Sequence, residues 1–156
     1  MQKIYLLDIG GFTDEEGLKA LLPQTAVVKA ERYAERADRL CSLFGSMLIE
    51  KFTSGSPLLF GTHGKPYKEA PPFFNLSHSG DKIGIFSDDD GEVGFDIQQI
   101  RTCNVKLAER IFPEKEIEIS CAADFARFWT MKESAAKLTG EGIISPGKQV
   151  LTDIDA

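Results

Sequence analysis

The chain has 156 residues, 42% of them hydrophobic and 27% charged, so it can bury the core of one domain or of two small halves and is not a disordered segment. Its formal net charge of −6 argues against a general nucleic-acid binder, which carries a basic excess, but leaves room for an anionic ligand held by a local basic cluster. Cys41, Cys103 and Cys121 are too sparse and too widely spaced for a disulfide framework or a zinc site, and each reads as a small buried hydrophobe in a reducing compartment.

The N-terminal run MQKIYLLDIGG lacks a basic region followed by a long apolar stretch, and no apolar run approaches the ~18–20 residues of a membrane helix. The expectation is a soluble, cytoplasmic protein. Lys3 to Ile9 reads as a strand stopped by Gly10-Gly11. Thr13 and Glu16 have the spacing of a capping box, opening a short helix that runs to Leu22 before Pro23. From Val27 to Phe52, Tyr33, Ala37, Leu40, Phe44, Met47 and Leu48 recur at spacings of three and four, which predicts one long helix with Gly45 as a weak point. Gly55, Pro57, Gly61, Gly64 and Pro66 make a loop-rich stretch with a short strand at Leu58 to Phe60. Pro71-Pro72 excludes helix ahead of Phe73 to Gly80. Lys82 to Ser87 and Glu92 to Ile97 read as two strands, joined by Asp88-Asp89-Asp90-Gly91 with its Asp-Gly hairpin signal. Val105 to Phe112 predicts a short helix before Pro113. Ala122 to Thr139 predicts a longer one, stopped by Gly140 and Gly142, and Lys148 to Asp153 a last strand. The class is α+β, with a soft boundary near Gly94 that separates an N-terminal half, 1–93, from a short C-terminal half, 94–156.

Three groups of residues could carry chemistry. Asp96 and Gln98 are two apart on an expected strand and so share one side. A hard cation such as Mg2+ takes one or two carboxylates and completes its shell with water and substrate phosphates. Glu133 could be the second carboxylate if its helix packs against that strand end. Glu133 and Lys137 lie four apart on one helix face; alone, such a pair is surface decoration worth a few tenths of a kcal/mol, about 0.2–0.5. Lys132 reads as ordinary solvated charge. Asn75 to Gly80 concentrates small hydroxyls, an imidazole and a glycine, which suits a phosphate-holding turn. Ser77 and His78 are no hydrolase pair, since adjacent strand residues face opposite ways and no GxSxG elbow surrounds them. Lys29 and Arg32, one helical turn apart, and Lys65 could form an anion site, although a solvated helix face looks the same.

The order of these segments is more specific than any one of them. Gly64 to Tyr67 (GKPY), Phe74 to Gly80 (FNLSHSG), Val93 to Ile97 (VGFDI) and Trp129 to Ile143 (WTMKESAAKLTGEGI) together resemble the 4′-phosphopantetheinyl transferase family, of the type that activates peptide-synthetase and acyl carrier proteins. The resemblance implies two pseudo-symmetric α+β halves, the second shortened here, with coenzyme A in the cleft between them. It implies an Mg2+-dependent, holo-[acyl-carrier-protein] synthase-type transfer of the 4′-phosphopantetheine arm of coenzyme A to a serine of an apo carrier protein. The product is 3′,5′-ADP and the setting is fatty-acid, peptide or polyketide biosynthesis.

By motif position, Asp96 and Glu133 are expected to ligate the metal and Lys137 to contact the pyrophosphate. His78 with Ser77 is expected to hold the adenosine 3′-phosphate, helped by Lys65 and by Lys29 and Arg32. Glu133 is the expected base, directly or through water, for the acceptor serine. Two departures stand out. Many relatives carry an acid where this chain has Gln98, so a water is expected at that coordination position. Only sixteen residues follow Gly140, which fits a compact member, a truncated chain, or a half completed by a second copy in a homodimer. The runner-up reading, prompted by both departures, is a degenerate coenzyme A- or carrier-binding protein without turnover. Another phosphate-ester enzyme or an unrelated α+β binding module comes third.

Overall fold

The computed structural model describes residues 1–52, 57–61, 64–102, 108, 112 and 119–140. Lys3–Asp8 (β1) pairs antiparallel with Lys82–Asp88 (β5), whose other side pairs antiparallel with Phe73–Ser79 (β4). The order β1-β5-β4 puts β5 in the middle, and β5 is the strand whose Ile83 and Ile85 are fully buried. Leu59–Phe60 (β2) and Pro66–Tyr67 (β3) form a separate two-stranded ladder. The helices are Glu15–Ala20 (α1), Gln24–Ala30 (α2), Arg36–Phe52 (α3) and Ala122–Thr139 (α4). This is the α+β class expected from the sequence.

The two faces of the sheet are covered differently. Leu40, Leu43, Phe44 and Leu48 of α3 pack with Phe74, Ile83 and Ile85 to make the core, and Phe12 meets Phe44 edge-on with ring centroids 4.9 Å apart. Gly45 sits in the middle of α3 because the helix comes close to the sheet there. A Cβ at this position would meet Leu76 Cδ2 at 3.0 Å and Ile83 Cδ1 at 3.6 Å. The residue expected to weaken the helix is the one that lets it pack. On the opposite face, Phe95 lies over Gly84, where a Cβ would come within 3.0 Å of its ring.

Several expectations are corrected. The single helix from Val27 to Phe52 is two, α2 and α3, separated at residues 31–35. No Gly or Pro marks that break. Arg39 holds it instead, donating to the carbonyls of Tyr33 (3.2 Å) and Ala34 (2.7 Å) and to Glu15 (3.2 Å). The cap of α1 is Asp14, which accepts from Gly17 N at 2.9 Å, rather than Thr13. The hairpin joins β4 to β5 through Gly80-Asp81, with Gly80 at φ 57°, and not β5 to a strand at Glu92 to Ile97. That latter segment is no strand. It folds back across the sheet, and its N–H groups at Ile97 and Gln99 bond the hydroxyls of Ser77 (3.2 Å) and Ser79 (2.9 Å), two side chains on one strand face. With its donors taken by side chains, it builds no backbone ladder.

Helix α4 spans the predicted residues and ends at Gly140, φ 76°, in the left-handed conformation that glycine adopts without strain. Its start differs from the expected apolar role of Cys121: this exposed cysteine stands at the N-cap position, its N–H (3.1 Å) and Sγ (3.2 Å) both donating to Asp124 Oδ2. Cys41 is buried as expected. Lys132 is the reverse case, only 4% exposed with Nζ 5.5 Å above the Phe112 ring, so it is not solvated charge. Of the predicted helix Val105 to Phe112, the described residues hold one bond, Phe112 N to Ala108 O at 2.8 Å. Cys103 and the predicted strand Lys148 to Asp153 lie outside the described residues.

Candidate functional site

A cleft of about 550 Å3 opens between α3 and α4, bounded by β4 and by the turn that joins β2 to β3. Helix α3 turns Asp38, Cys41, Ser42, Gly45, Ser46 and Ile49 to it, residues spaced by three and four, of which Cys41 and Gly45 also border the core. Helix α4 brings Glu133, Ala136 and Lys137. The turn brings Gly64, at φ 75°, and Lys65, while β4 brings Asn75, Leu76 and His78. Lys29 and Tyr33 stand at the α2 end.

The charged wall rests on one close packing. The segment carrying Asp96 passes so near α4 that a Cβ on Gly94 would sit 1.9 Å from Ser134 O and 2.9 Å from Leu138 Cβ. Only glycine admits that approach, and it brings Asp96 to Lys137. The Asp96 side chain is 7% exposed, and its Oδ1 accepts from Lys137 Nζ at 2.6 Å and from Ser77 Oγ at 2.7 Å. Ser77 Oγ in turn accepts from Lys137 Nζ at 2.9 Å. Among the described residues Asp96 Oδ2 is buried without a hydrogen-bond partner, a state costing roughly 1–3 kcal/mol.

Glu133, one turn before Lys137, has its carboxyl pKa raised by burial; the Lys137 charge offsets this and the Asp96 charge adds to it. Lys65 Nζ donates to the Lys137 carbonyl near the C-terminal end of α4, where a cation suits the helix dipole. Burial lowers its pKa, against the favourable charge of Glu92 and with the unfavourable one of Lys137. The amine is thus held where an incoming anion would favour its charged form.

Among the sequence candidates, Lys29, Lys65, His78, Glu133 and Lys137 line one cleft, and Asp96 and Ser77 stand directly behind Lys137. Ser77 and His78 part company: Ser77 faces the Asp96 network while His78 faces the cleft. Asn75 to Gly80 is a strand and its hairpin turn rather than a phosphate-holding loop. Lys29 Nζ lies 5.9 Å over the Phe60 ring. Arg32 does not line the cleft. Gln98 does not join Asp96, because the segment is not a strand; its amide donates to Gln99 O at 3.2 Å, and it lines a different hollow with Leu6, Asp8 and Lys82.

Sequence reasoning missed Ser42, Gly45 and Ser46, whose small size at helical spacing signals a side of α3 with room beside it. It also missed the steric role of Gly94, which no local pattern signals. No group of three or more His, Cys, Asp or Glu side chains among the described residues could hold a metal by itself. Asp96, with an unpartnered oxygen, and Glu133 do fit an ion that brings most of its own shell as water and phosphate oxygens.

Comparison with known proteins adds an independent observation. A family model described as the 4′-phosphopantetheinyl transferase superfamily matches residues 92–155. The chain is 35% identical over 145 residues to the 4′-phosphopantetheinyl transferase psf-1 of Bacillus pumilus, an alignment covering 82% of this chain and 62% of that protein. It is 36% identical over 131 residues to the 4′-phosphopantetheinyl transferase AcpT of Salmonella typhimurium, covering 76% and 67%. It is 32% identical over 130 residues to the 4′-phosphopantetheinyl transferase gsp of Aneurinibacillus migulanus, covering 74% and 54%. The chain thus spans between about half and two thirds of the length of these relatives.

Proposed function

Since the chain belongs to the 4′-phosphopantetheinyl transferase superfamily, we propose that it transfers the phosphopantetheine arm of coenzyme A to a serine of an apo acyl or peptidyl carrier protein and releases 3′,5′-ADP. The observation that carries this reading is the pairing of the unpartnered Asp96 oxygen and the half-buried Glu133 with Lys137, at the wall of a cleft that also holds Lys29, Lys65 and His78. Two acids and several cations suit a doubly charged pyrophosphate with a divalent ion and a separate phosphate.

In this reading Lys65, His78 and Lys29 hold the 3′-phosphate, whose negative charge opposes the burial that lowers the Lys65 pKa. Arg32, outside the cleft, is left a peripheral role. Lys137 holds Asp96 through Oδ1 and faces the cleft, so it can offset charge on the pyrophosphate as well. Asp96 and Glu133 would hold Mg2+, which when bound neutralises the pyrophosphate oxygens. The acceptor hydroxyl gives its proton to Glu133, directly or through water, and its oxygen bonds to the phosphorus that carries the arm. The bond from that phosphorus to the bridging oxygen breaks, and 3′,5′-ADP leaves with the electron pair. Burial raises the Glu133 pKa, and a carboxylate so raised is a better base at neutral pH.

The proposal extends to two halves, 1–93 and 94–156, since the cleft takes residues from both sides of Gly94. It extends also to pairing of two copies in the cytoplasm. β1 supports the pairing, being an edge strand with Ile4 58% and Leu6 63% exposed. No described helix is long and apolar enough to cross a membrane. The direct test is the intact mass of an apo carrier protein after incubation with this protein, coenzyme A and Mg2+. A gain of one phosphopantetheine, lost on chelation, is the expected result. Coenzyme A binding without that gain would overturn the reading in favour of a binding protein without turnover.

A further inference from the structure

The charged wall of the cleft suits phosphates, but its uncharged polar lining does not need them, and two of those residues, Ser42 and Asn75, keep a buried side-chain oxygen with no partner among the described residues. Of the two, Asn75 is 3% exposed and borders the cleft, and its Oδ1 has no hydrogen-bond partner among the described residues. Its backbone pairs opposite Phe86 in the sheet, and among the described residues its side-chain oxygen has no donor. It shares a strand face with Ser77, one pleat along from the side chain that bonds Asp96 and Lys137.

A buried carbonyl oxygen without a donor is costly, and native proteins keep such groups rarely. A neutral amide is a poor choice for a phosphate dianion, for which Lys29, Lys65, His78 and Lys137 are already present. It is a good match for another amide, because each offers one N–H edge and one C=O edge. The last torsion of an asparagine is soft and roughly two-fold, so either edge can turn toward the cleft.

We propose that Asn75 is a specificity-determining residue that reads the amide groups of the phosphopantetheine arm, beside the charged subsite that takes the pyrophosphate. This rests on the functional reading above and adds to it a division of labour. The cations hold the nucleotide end, and Asn75 selects for the arm that is transferred.

The test is calorimetric binding of coenzyme A and of 3′,5′-ADP, which lacks the arm, to the wild type and to Asn75→Leu. The expected result is about a tenfold weaker Kd for coenzyme A, the net worth of one hydrogen bond, with 3′,5′-ADP unchanged. The melting temperature is expected to hold or rise, since the substitution removes an unpaired polar group. Equal weakening of both ligands would overturn the proposal, and so would an unchanged Kd for coenzyme A. A second arm needs no variant: coenzyme A analogues with arm amides replaced by esters should bind the wild type more weakly. If coenzyme A and the ester analogue bind equally well, this inference fails while the functional reading stands. If the wild type binds no coenzyme A at all, both fail.

Discussion

The two helices that bound the cleft work by opposite means. Helix α3 presents a mostly uncharged wall, with the small Ser42, Gly45 and Ser46 between Asp38 and Ile49, where what matters is volume. Helix α4 presents a charged wall in which Glu133, Lys137, Asp96 and Ser77 depend on one another, so what matters is which partner each atom has. A steric wall tolerates change until space runs out. A coupled wall fails as soon as one member leaves, because the rest are then buried with the wrong charge balance.

The largest effect should come from breaking the charged wall. Asp96→Ala or Glu133→Ala is expected to lower carrier modification by at least 10²–10³, the cost of losing one preorganised charge-stabilising group, while circular dichroism reports an intact fold. Near-normal turnover by either purified variant would remove the metal-ligand assignment.

Next comes the packing that builds that wall. Gly94→Ala should destabilise by roughly 1–3 kcal/mol, because its Cβ would strike the Ser134 carbonyl. The loss should appear as a melting temperature several degrees lower, with activity falling alongside. A variant as stable and active as the wild type would mean that α4 can move away from Asp96 without consequence.

On the neutral wall, Ser46→Leu should fill the cleft and raise the KM for coenzyme A by about an order of magnitude, the lower end of what pocket shape discriminates, with kcat changed much less. A loss confined to kcat would show that the α3 face does not hold substrate.

The smallest effect concerns pH. The Glu133 pKa is raised above its ordinary 4.5 by burial, so the folded state keeps a proton that the unfolded state releases. The stability this supplies is complete below 4.5 and is lost as pH rises through the higher folded value. Glu133→Gln should therefore match the wild type in acid and exceed it in melting temperature near neutrality, even though it is inactive. A constant difference across that range would deny the half-buried carboxyl its role.

Much of this molecule was legible in the chain. The strand at Lys3, the helix from Ala122 to Thr139 and the grouping of Asp96, Glu133 and Lys137 follow from periodicity, stop residues and the order of four motifs. The break between α2 and α3 was not legible, because the guanidinium of Arg39 holds it from within an unbroken helical pattern. Nor was the path of residues 92–97. Its apolar alternation reads as a strand, but its amide donors are taken by serine hydroxyls on another strand.

The sequence by itself determined the element types, the family resemblance and which side chains have the chemistry to hold phosphate. Those properties are local, set by side-chain type and by spacing along the chain. The tertiary structure decided that Ser77 faces Asp96 while His78 faces the cleft, that Gln98 leaves the site, and that Lys132 is buried. It also decided that Asp96 Oδ2, Asn75 Oδ1 and Ser42 Oγ are left without partners among the described residues. Those outcomes turn on close approaches, above all Gly94 against α4 and Gly45 against β4. A glycine's position in the chain does not reveal which surface will come to rest against it.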